Sequence, residues 1–228
     1  MNQDSTPTSR WKLRSFVSDS LLQERETFLR LGPKAGPIYA RLRLLDLAGV
    51  RSPNMQGVSP AARSFLFVCF GNRMRSPMAE AFFRKAVGDA GLRGIHGASA
   101  GLHAIPGNEA HPWALTASQE IGLPLTNHRA QPVTADLVTQ ADAIFAMDFQ
   151  NQAELLAGFP EFQNKILMLS AYADGSFRCR EIPDPYFGDI AATRRCYGVL
   201  QACIRNLTTE LQMFFKQRAS ANSTGVQS

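Results

Sequence analysis

The chain has 228 residues, with 24 Lys and Arg against 19 Asp and Glu and a 45% hydrophobic fraction, the profile of one globular domain or a little more. Its longest apolar run is the six residues Phe65–Phe70, against the ~20 that a membrane-spanning helix needs. The polar start MNQDSTPTSR has no apolar core behind it, unlike a secretory signal, and four unevenly spaced cysteines make neither a disulfide scaffold nor a CxxC metal pair. These features point to a protein of the reducing cytoplasm with no metal and no cofactor.

The charge is uneven along the chain. Residues 1–64 carry ten basic and five acidic residues, and 65–228 carry fourteen of each, so the whole basic excess lies in the first quarter. That asymmetry predicts two parts with different tasks. Residues 1–10 are polar and expected to be disordered. Helical spacing of Phe16, Val17, Leu21, Leu22, Phe28 and Leu29 predicts a helix over 13–31. Gly32 to Pro37 interrupts it, and Ile38, Tyr39, Leu42, Leu45 and Leu47 predict a second helix over 38–48. Ser, Pro, Gly and Asn dominate 51–64, a linker. The expected arrangement is therefore a basic helical extension over 1–64, a main domain over 65–216 and a disordered tail over 217–228.

From Ser64 the texture changes. Phe65-Leu66-Phe67-Val68 reads as a strand buried on both faces. The loop Cys69–Arg75 follows, and Ser76-Pro77 reads as a Ser cap with Pro at the first position of a helix running to about Gly91. A weaker strand is expected near 95–100, a helix over 112–121 closed by Gly122, and a short helix from Thr134. A strand at 143–146, a helix over 149–157, a strand at 166–169 and a last helix from 189 to 215 complete the series. Strands alternating with helices, in continuous apolar runs, predict an α/β fold with a parallel sheet covered on both faces. Ligands of such sheets bind at the carboxyl ends of the strands, which directs attention to the loop after the first strand.

That loop, Cys69-Phe70-Gly71-Asn72-Arg73-Met74-Arg75-Ser76, has the makings of an anion site. Its N–H groups and the first turn of the following helix can converge on one point, and the helix end adds partial positive charge. Gly71 and Asn72 best tolerate the left-handed backbone that an anion nest requires. Arg75 adds a planar fork matched to phosphate oxygens. Cys69 ends the strand in this positive field, which favours the thiolate, a nucleophile aimed at phosphorus.

CFGNRMRSPMAEAFF resembles the phosphate-binding loop of the low-molecular-weight protein tyrosine phosphatase family, usually CxGNxCRSP. The resemblance spans about residues 65–215. Ser99-Ala100-Gly101 resembles the family's SAG segment and Asn127-His128-Arg129-Ala130 its HxAR-like segment. Met147-Asp148 resembles its MD turn, and Ile182-Pro183-Asp184-Pro185-Tyr186-Phe187-Gly188 its DPY loop. The resemblance implies a four-stranded parallel sheet flanked by helices on both faces and hydrolysis of protein phosphotyrosine through a phosphocysteine. It implies Cys69 as nucleophile, Arg75 as ligand of the phosphate oxygens, and Asp184 as acid and then base. Residues Phe70, Gly71, Asn72, Arg73, Met74, Arg75 and Ser76 would form the phosphate loop. Ser76 would also hydrogen-bond the thiolate, with Asn72, Ser99 and His128 supporting the loop. Arg73, Leu102, Ile105, Tyr186 and Phe187 would line the substrate pocket.

Some positions depart from the family pattern. Met74 stands where the family usually has a second Cys that protects the nucleophile by a reversible disulfide, which predicts retained activity with less reversible oxidation. Arg73 stands where Ile or Thr is usual, at a position linked in the family to the choice between phosphotyrosine and phosphoarginine; a cation there disfavours phosphoarginine. Leu102 to Pro106 lacks a pocket aromatic of eukaryotic members and looks bacterial. The first 64 residues have no counterpart in the minimal family. Cys196 and Cys203 are expected in the core, and Cys179 either traps Cys69 as a disulfide or is a plain loop cysteine. Two other functions remain open from the residues: an arsenate reductase borrowing an external thiol, and a phosphate-binding scaffold with turnover spoiled by Arg73 and Met74. The partner expected is a phosphotyrosine protein and not nucleic acid. The extension is expected to pack on the domain through Leu21, Phe28 and Leu42, in preference to contacting another protein or a membrane surface.

Overall fold

The strand β1 (Ser64–Cys69) shows why the sheet sits where it does. Its alternate residues Phe65, Phe67 and Cys69 enter one apolar core, Leu66 and Val68 enter the other, and both sets are buried. A strand buried on both faces must lie inside a sheet covered by helices. A computed structural model describes residues 19–50, 57–175 and 180–224, and side chains within these from Glu24 to Arg218. The sheet order is β2-β1-β3-β4, all parallel, with β2 (His96–Gly101), β3 (Ala143–Ala146) and β4 (Ile166–Met168). In register, Cys69 of β1 lies beside Gly101 of β2, and Val68 lies between Ala100 of β2 and Ala146 of β3.

Helices α2 (Arg75–Asp89), α3 (Pro112–Glu120) and α6 (Ile190–Thr224) cover the face carrying Phe65, Phe67 and Phe145. On that face the rings of Phe67 and Phe145 stack with centroids 5.6 Å apart, and Phe83 of α2 meets Phe67 edge-on at 5.3 Å, geometries that aromatic quadrupoles favour. Helices α1 (Asp19–Leu47), α4 (Ala135–Gln140) and α5 (Phe149–Gly158) supply the other core: Ala35, Tyr39 and Leu42 of α1 join Leu66, Val68, Ile144 and Phe149. The loops after β1 and β3 therefore emerge side by side at the carboxyl edge of the sheet.

The interruption expected at Gly32 is a sharp kink within α1, with Gly32 at φ 68° and ψ −169°, a backbone open to glycine. The two limbs fold back on each other there. Tyr39 Oη donates to Glu24 Oε2 at 2.5 Å and Arg43 pairs with Glu24, contacts no straight helix allows between residues 15 and 19 apart. Of the three residues expected to bury the extension, Leu42 does so. Phe28 is 38% exposed instead, with its ring lying over Gly36 of the second limb. Leu21, Phe16 and Val17 lie outside the described side chains.

Three other expectations change. Ser76 does not cap α2: the helix starts at Arg75, its cap position is Met74, and no side chain caps it. The Ser76 hydroxyl is engaged with Cys69 Sγ, so the N–H groups of the first turn keep their freedom to bind an anion. Gly71 is not left-handed; Asn72, at φ 52°, alone among the described non-glycine residues takes that backbone. Helix α6 continues to Thr224, well into the expected tail, because Gln217 to Thr224 contains neither Gly nor Pro. The second half of the expected linker is tied down as well, with Val58 and Ala62 buried and Val58 N–H donating to Tyr172 Oη at 3.1 Å. No helix among the described residues is long and apolar enough to cross a membrane.

Candidate active site

The loop between β1 and α2 is held by a buried network centred on Asn72. Its Nδ2 donates to Ser76 Oγ at 2.9 Å and to Ser99 Oγ at 3.0 Å, and its Oδ1 accepts from Gln131 N–H at 3.0 Å. Its carbonyl accepts from His128 Nε2 at 2.7 Å, which fixes the proton of that ring on Nε2. Ser99 Oγ passes its own hydrogen to Glu80 Oε2 at 2.7 Å, and Gln131 Nε2 holds the Ser99 carbonyl at 2.9 Å. Every polar atom of the Asn72 side chain is matched, which locks a left-handed residue that would otherwise be strained. Gly101 is required for the same shape: a Cβ there would sit 2.6 Å from Asn72 N and 2.8 Å from Gly71 C. Asn72, Ser99 and His128 thus meet as the sequence implies, and Gln131 and Glu80 join them without any local signal in the sequence.

At the head of the loop, Cys69 Sγ lies 3.0 Å from Ser76 Oγ. Because that oxygen already accepts from Asn72, its hydrogen is left for Sγ or for the Ala100 carbonyl at 3.2 Å. As charge grows on sulfur, the hydrogen moves toward it.

Arg75 is 1% exposed yet carries a full charge. Its Nη1 donates to Asp148 Oδ2 at 2.6 Å and to the Ile182 carbonyl at 3.1 Å, and its Nη2 to Asp184 Oδ2 at 2.5 Å. Burial by itself would lower its pKa; the carboxylates of Asp148 and Asp184 outweigh that and raise it. Asp148 is a second task-bearing residue of the MD turn. Its Oδ1 accepts from Asn151 N–H at 2.7 Å and so caps α5, while Oδ2 orients the arginine. The sequence signs of this were an Asp between a strand and a helix and the resemblance of Met147-Asp148 to the MD turn.

These groups open onto a cleft of about 670 Å³. Cys69, Phe70, Gly71, Arg73, Met74 and Arg75 form its floor and one wall, and Ile105, Asp184, Tyr186 and Phe187 stand on its rim. Leu102 is not among them; it packs against the apolar core beside α1, because the chain turns at Gly101 and directs Ile105 outward in its place. Arg73 Nε donates to the Glu109 carbonyl at 2.9 Å and Nη1 to Tyr186 Oη at 3.2 Å. Tyr186 N–H in turn donates to Asp184 Oδ1 at 3.1 Å. His111 stacks on Tyr186 at 5.1 Å, its imidazole pKa pushed down by burial and then by Arg73.

Cys196 and Cys203 are free and buried on α6, and burial pushes both thiols up to about 12. They are core residues, as expected. Cys179 lies outside the described residues.

A thiol, a buried guanidinium and a carboxylate arranged around an anion cradle match phosphoryl transfer to sulfur. The model of the low molecular weight phosphotyrosine protein phosphatase family matches residues 64–217. The protein-arginine-phosphatase of Bacillus subtilis is 34% identical over 147 residues, 64% of this chain and 95% of that protein. The low molecular weight protein-tyrosine-phosphatase Etp of Escherichia coli is 32% identical over 138 residues, 60% of this chain and 87% of its own length. Among solved structures, a YwlE arginine phosphatase mutant with a phosphorylated active-site serine aligns with a TM-score of 0.60 at 32% identity, covering 65% of this chain and 95% of that one. The tyrosine phosphatase Wzb of Escherichia coli in complex with sulphate aligns at 0.59 and 27% identity, covering 66% and 99%. With the family model covering two thirds of its length, the chain belongs to the low molecular weight phosphotyrosine protein phosphatases.

Proposed function

We propose that the chain hydrolyses phosphotyrosine in proteins through a phosphocysteine on Cys69, with Arg75 and Asp184 as the other two reacting-site residues. The observation that carries this reading is the Cys69 thiol at the floor of the cleft, 3.0 Å from the Ser76 hydroxyl and backed by Arg75. The loop N–H groups and Arg75 bind the three non-bridging oxygens, and their hold strengthens as charge develops. An arriving phosphoryl group competes with Asp184 for the Nη2 edge of Arg75. Sγ attacks phosphorus; the P–O bond to the aryl ring breaks, and the leaving oxygen takes its proton from Asp184. Water then attacks the phosphocysteine, giving its proton to Asp184, and the P–S electron pair returns to sulfur, steadied by Ser76.

Several features support an aryl ester over a guanidine phosphate. Phe70 and Tyr186 flank the cleft and Phe187 is 99% exposed at its rim, surfaces suited to an aromatic ring. Arg73 at the mouth would repel a second guanidinium. The relative named as a protein-arginine-phosphatase makes the comparison worth direct measurement. A thiol nucleophile also works best in a reducing compartment, in keeping with the cytoplasm.

The test is hydrolysis of aryl phosphates without added thiol. Cys69→Ser is expected to lower turnover by about a thousand-fold or more. Asp184→Asn is expected to lower kcat by about 10²- to 10⁴-fold, more steeply for phenyl phosphate than for p-nitrophenyl phosphate, whose leaving group needs no proton. Turnover of phosphotyrosine peptide should exceed that of phosphoarginine peptide. No hydrolysis by the wild type, or a preference for phosphoarginine, overturns the reading.

A further inference from the structure

The cleft extends from the nucleophile to the seam between α1 and α5. Thr27 and Arg30 of α1, Phe70, His103, and Gln150 and Asn151 of α5 line it there. Arg30, Gln150, Phe70 and His103 are linked to one another, with Asn151 next to Gln150 in the chain. Arg30 Nη2 donates to Gln150 Oε1 at 2.7 Å, and its guanidinium lies 6.0 Å from the centroid of the Phe70 ring. The Phe70 ring meets His103 at a tilt of 31°, with centroids 4.5 Å apart. The N-terminal extension thus contributes a wall of the cleft, and its most exposed offering there is a cation.

Two observations make this end of the cleft a receptor for a second negative charge. First, the Arg30 charge is uncompensated: no ion pair engages it among the described residues. The carboxylate joined to this group, Glu154, is committed elsewhere, with Oε2 to His103 at 2.5 Å and Oε1 to Gln150 Nε2 at 3.0 Å. Asp148 and Asp184 are both held by Arg75. Second, Asn151 is 1% exposed, lines the cleft, and has no hydrogen-bond partner for Oδ1 or Nδ2 among the described residues. A buried amide without partners is costly unless a ligand supplies them. Arg73 donates to two neutral acceptors, the Glu109 carbonyl and the Tyr186 hydroxyl, so the mouth carries two guanidiniums that pair with no carboxylate among the described residues.

We propose that Arg30, with the Asn151 amide, forms a second anion subsite that takes a carboxylate or a phosphate monoester carried by the substrate next to its phosphotyrosine. The proposal rests on the phosphatase reading above and assigns the extension a direct part in substrate choice. A guanidinium fork offers the two parallel N–H donors that either anion accepts, and its aromatic backing on Phe70 leaves those edges free.

Three phosphotyrosine peptides that differ at one neighbouring residue, Gln, Glu or phosphoserine, test this and separate the two anions. Wild-type kcat/KM is expected to be about three- to five-fold higher for Glu than for Gln, the range of one exposed charge pair, and higher again for phosphoserine. The preference should shrink as salt is raised. Arg30→Gln should abolish it, and Arg30→Lys should keep most of it, which separates charge from packing. The salt dependence of the wild-type ratio needs no variant and tests the subsite even where Arg30→Gln fails to fold. Equal kcat/KM on all three peptides by the wild type, or an equal loss on all three in Arg30→Gln, overturns the subsite while leaving the phosphatase reading standing. Hydrolysis of no peptide and no aryl phosphate by the wild type overturns both.

Discussion

Asn72 and Gly101 show how much of the active loop depends on single atoms. Asn72 bears the left-handed backbone, and its carboxamide and carbonyl together meet Ser76, Ser99, Gln131 and His128. Gly101, paired with Cys69 across β1 and β2, lets the loop backbone approach within the space a side chain would occupy. The obstacles to a Cβ there are backbone atoms of residues 70 to 72, which cannot swing aside as a flexible side chain could. Gly101→Ala is therefore expected to displace the loop and lower kcat/KM by about a hundred-fold, the effect of roughly 1 Å of misplacement at a reacting centre. Steady-state kinetics with an aryl phosphate, together with a thermal melt, checks this. An alanine variant of full activity would show that the loop adapts without these contacts. Gly71 makes the contrast: a Cβ there meets nothing within 4 Å, so the glycine expected with Asn72 to take the left-handed backbone is not sterically demanded.

At the scale of elements, one carboxylate connects a helix to the chemistry. Asp148 caps α5 through Oδ1 and holds Arg75 through Oδ2. The two tasks separate by substitution. Asp148→Asn keeps a good capping side chain but removes the charge opposite Arg75, whereas Asp148→Ala removes both. Both variants are expected to lower kcat/KM by at least about ten-fold, since a kcal or two of lost orientation at Arg75 has that effect. The alanine variant alone should lose about 1 kcal/mol more in stability from the missing cap, read from urea unfolding. Equal stability of the two variants would remove the capping role. This element also marks the boundary of what the sequence disclosed. The order of strands and helices was legible because buried strands such as Phe65–Val68 and capped helices leave local patterns. The loop carrying Cys69 and Arg75 was legible for the same reason, whereas the role of Asp184 came only from the family resemblance of its loop. Two further partners of the loop network, Gln131 and Glu80, were not legible, since they meet Asn72 and Ser99 only in the folded chain. Arg30 reaches the cleft from 120 residues away from Gln150, a juxtaposition no local pattern encodes. Ser76-Pro77 misled in the opposite sense: it has the form of a cap, but the hydroxyl serves Cys69.

Over the whole molecule the described part of the extension packs into the folded unit. Its second limb buries Ala35, Tyr39 and Leu42 in the core shared with β1, β3 and α5. Arg43 ties it to the loop that carries Asp184, pairing with Glu24, with Asp46 at 3.9 Å and with Glu181 at 3.1 Å. Glu181 Oε1 also accepts from Phe149 N–H at 3.0 Å, at the start of α5. Burial pushes the Glu181 carboxyl up, the neighbouring Asp148 adds to this, and Arg43 opposes it. A carboxyl whose pKa is raised by folding contributes stability below its ordinary range near 4.5, and that contribution is lost as pH rises through the folded value. Arg43→Gln removes the pairs with Glu24 and Asp46 and the cation that opposes the rise at Glu181, so the ionised form of Glu181 becomes less favourable. The variant is therefore expected to melt below the wild type at about pH 7.5, with the deficit shrinking as pH falls toward the raised range of Glu181, where protonation relieves the unpaired carboxylate. Calorimetry at that pH and within the raised range measures the gap, with turnover of an aryl phosphate followed alongside because Glu181 lies three residues before Asp184. A gap of the same size at both pH values would show that Arg43 acts by packing on Phe149, 5.7 Å away, and not by charge.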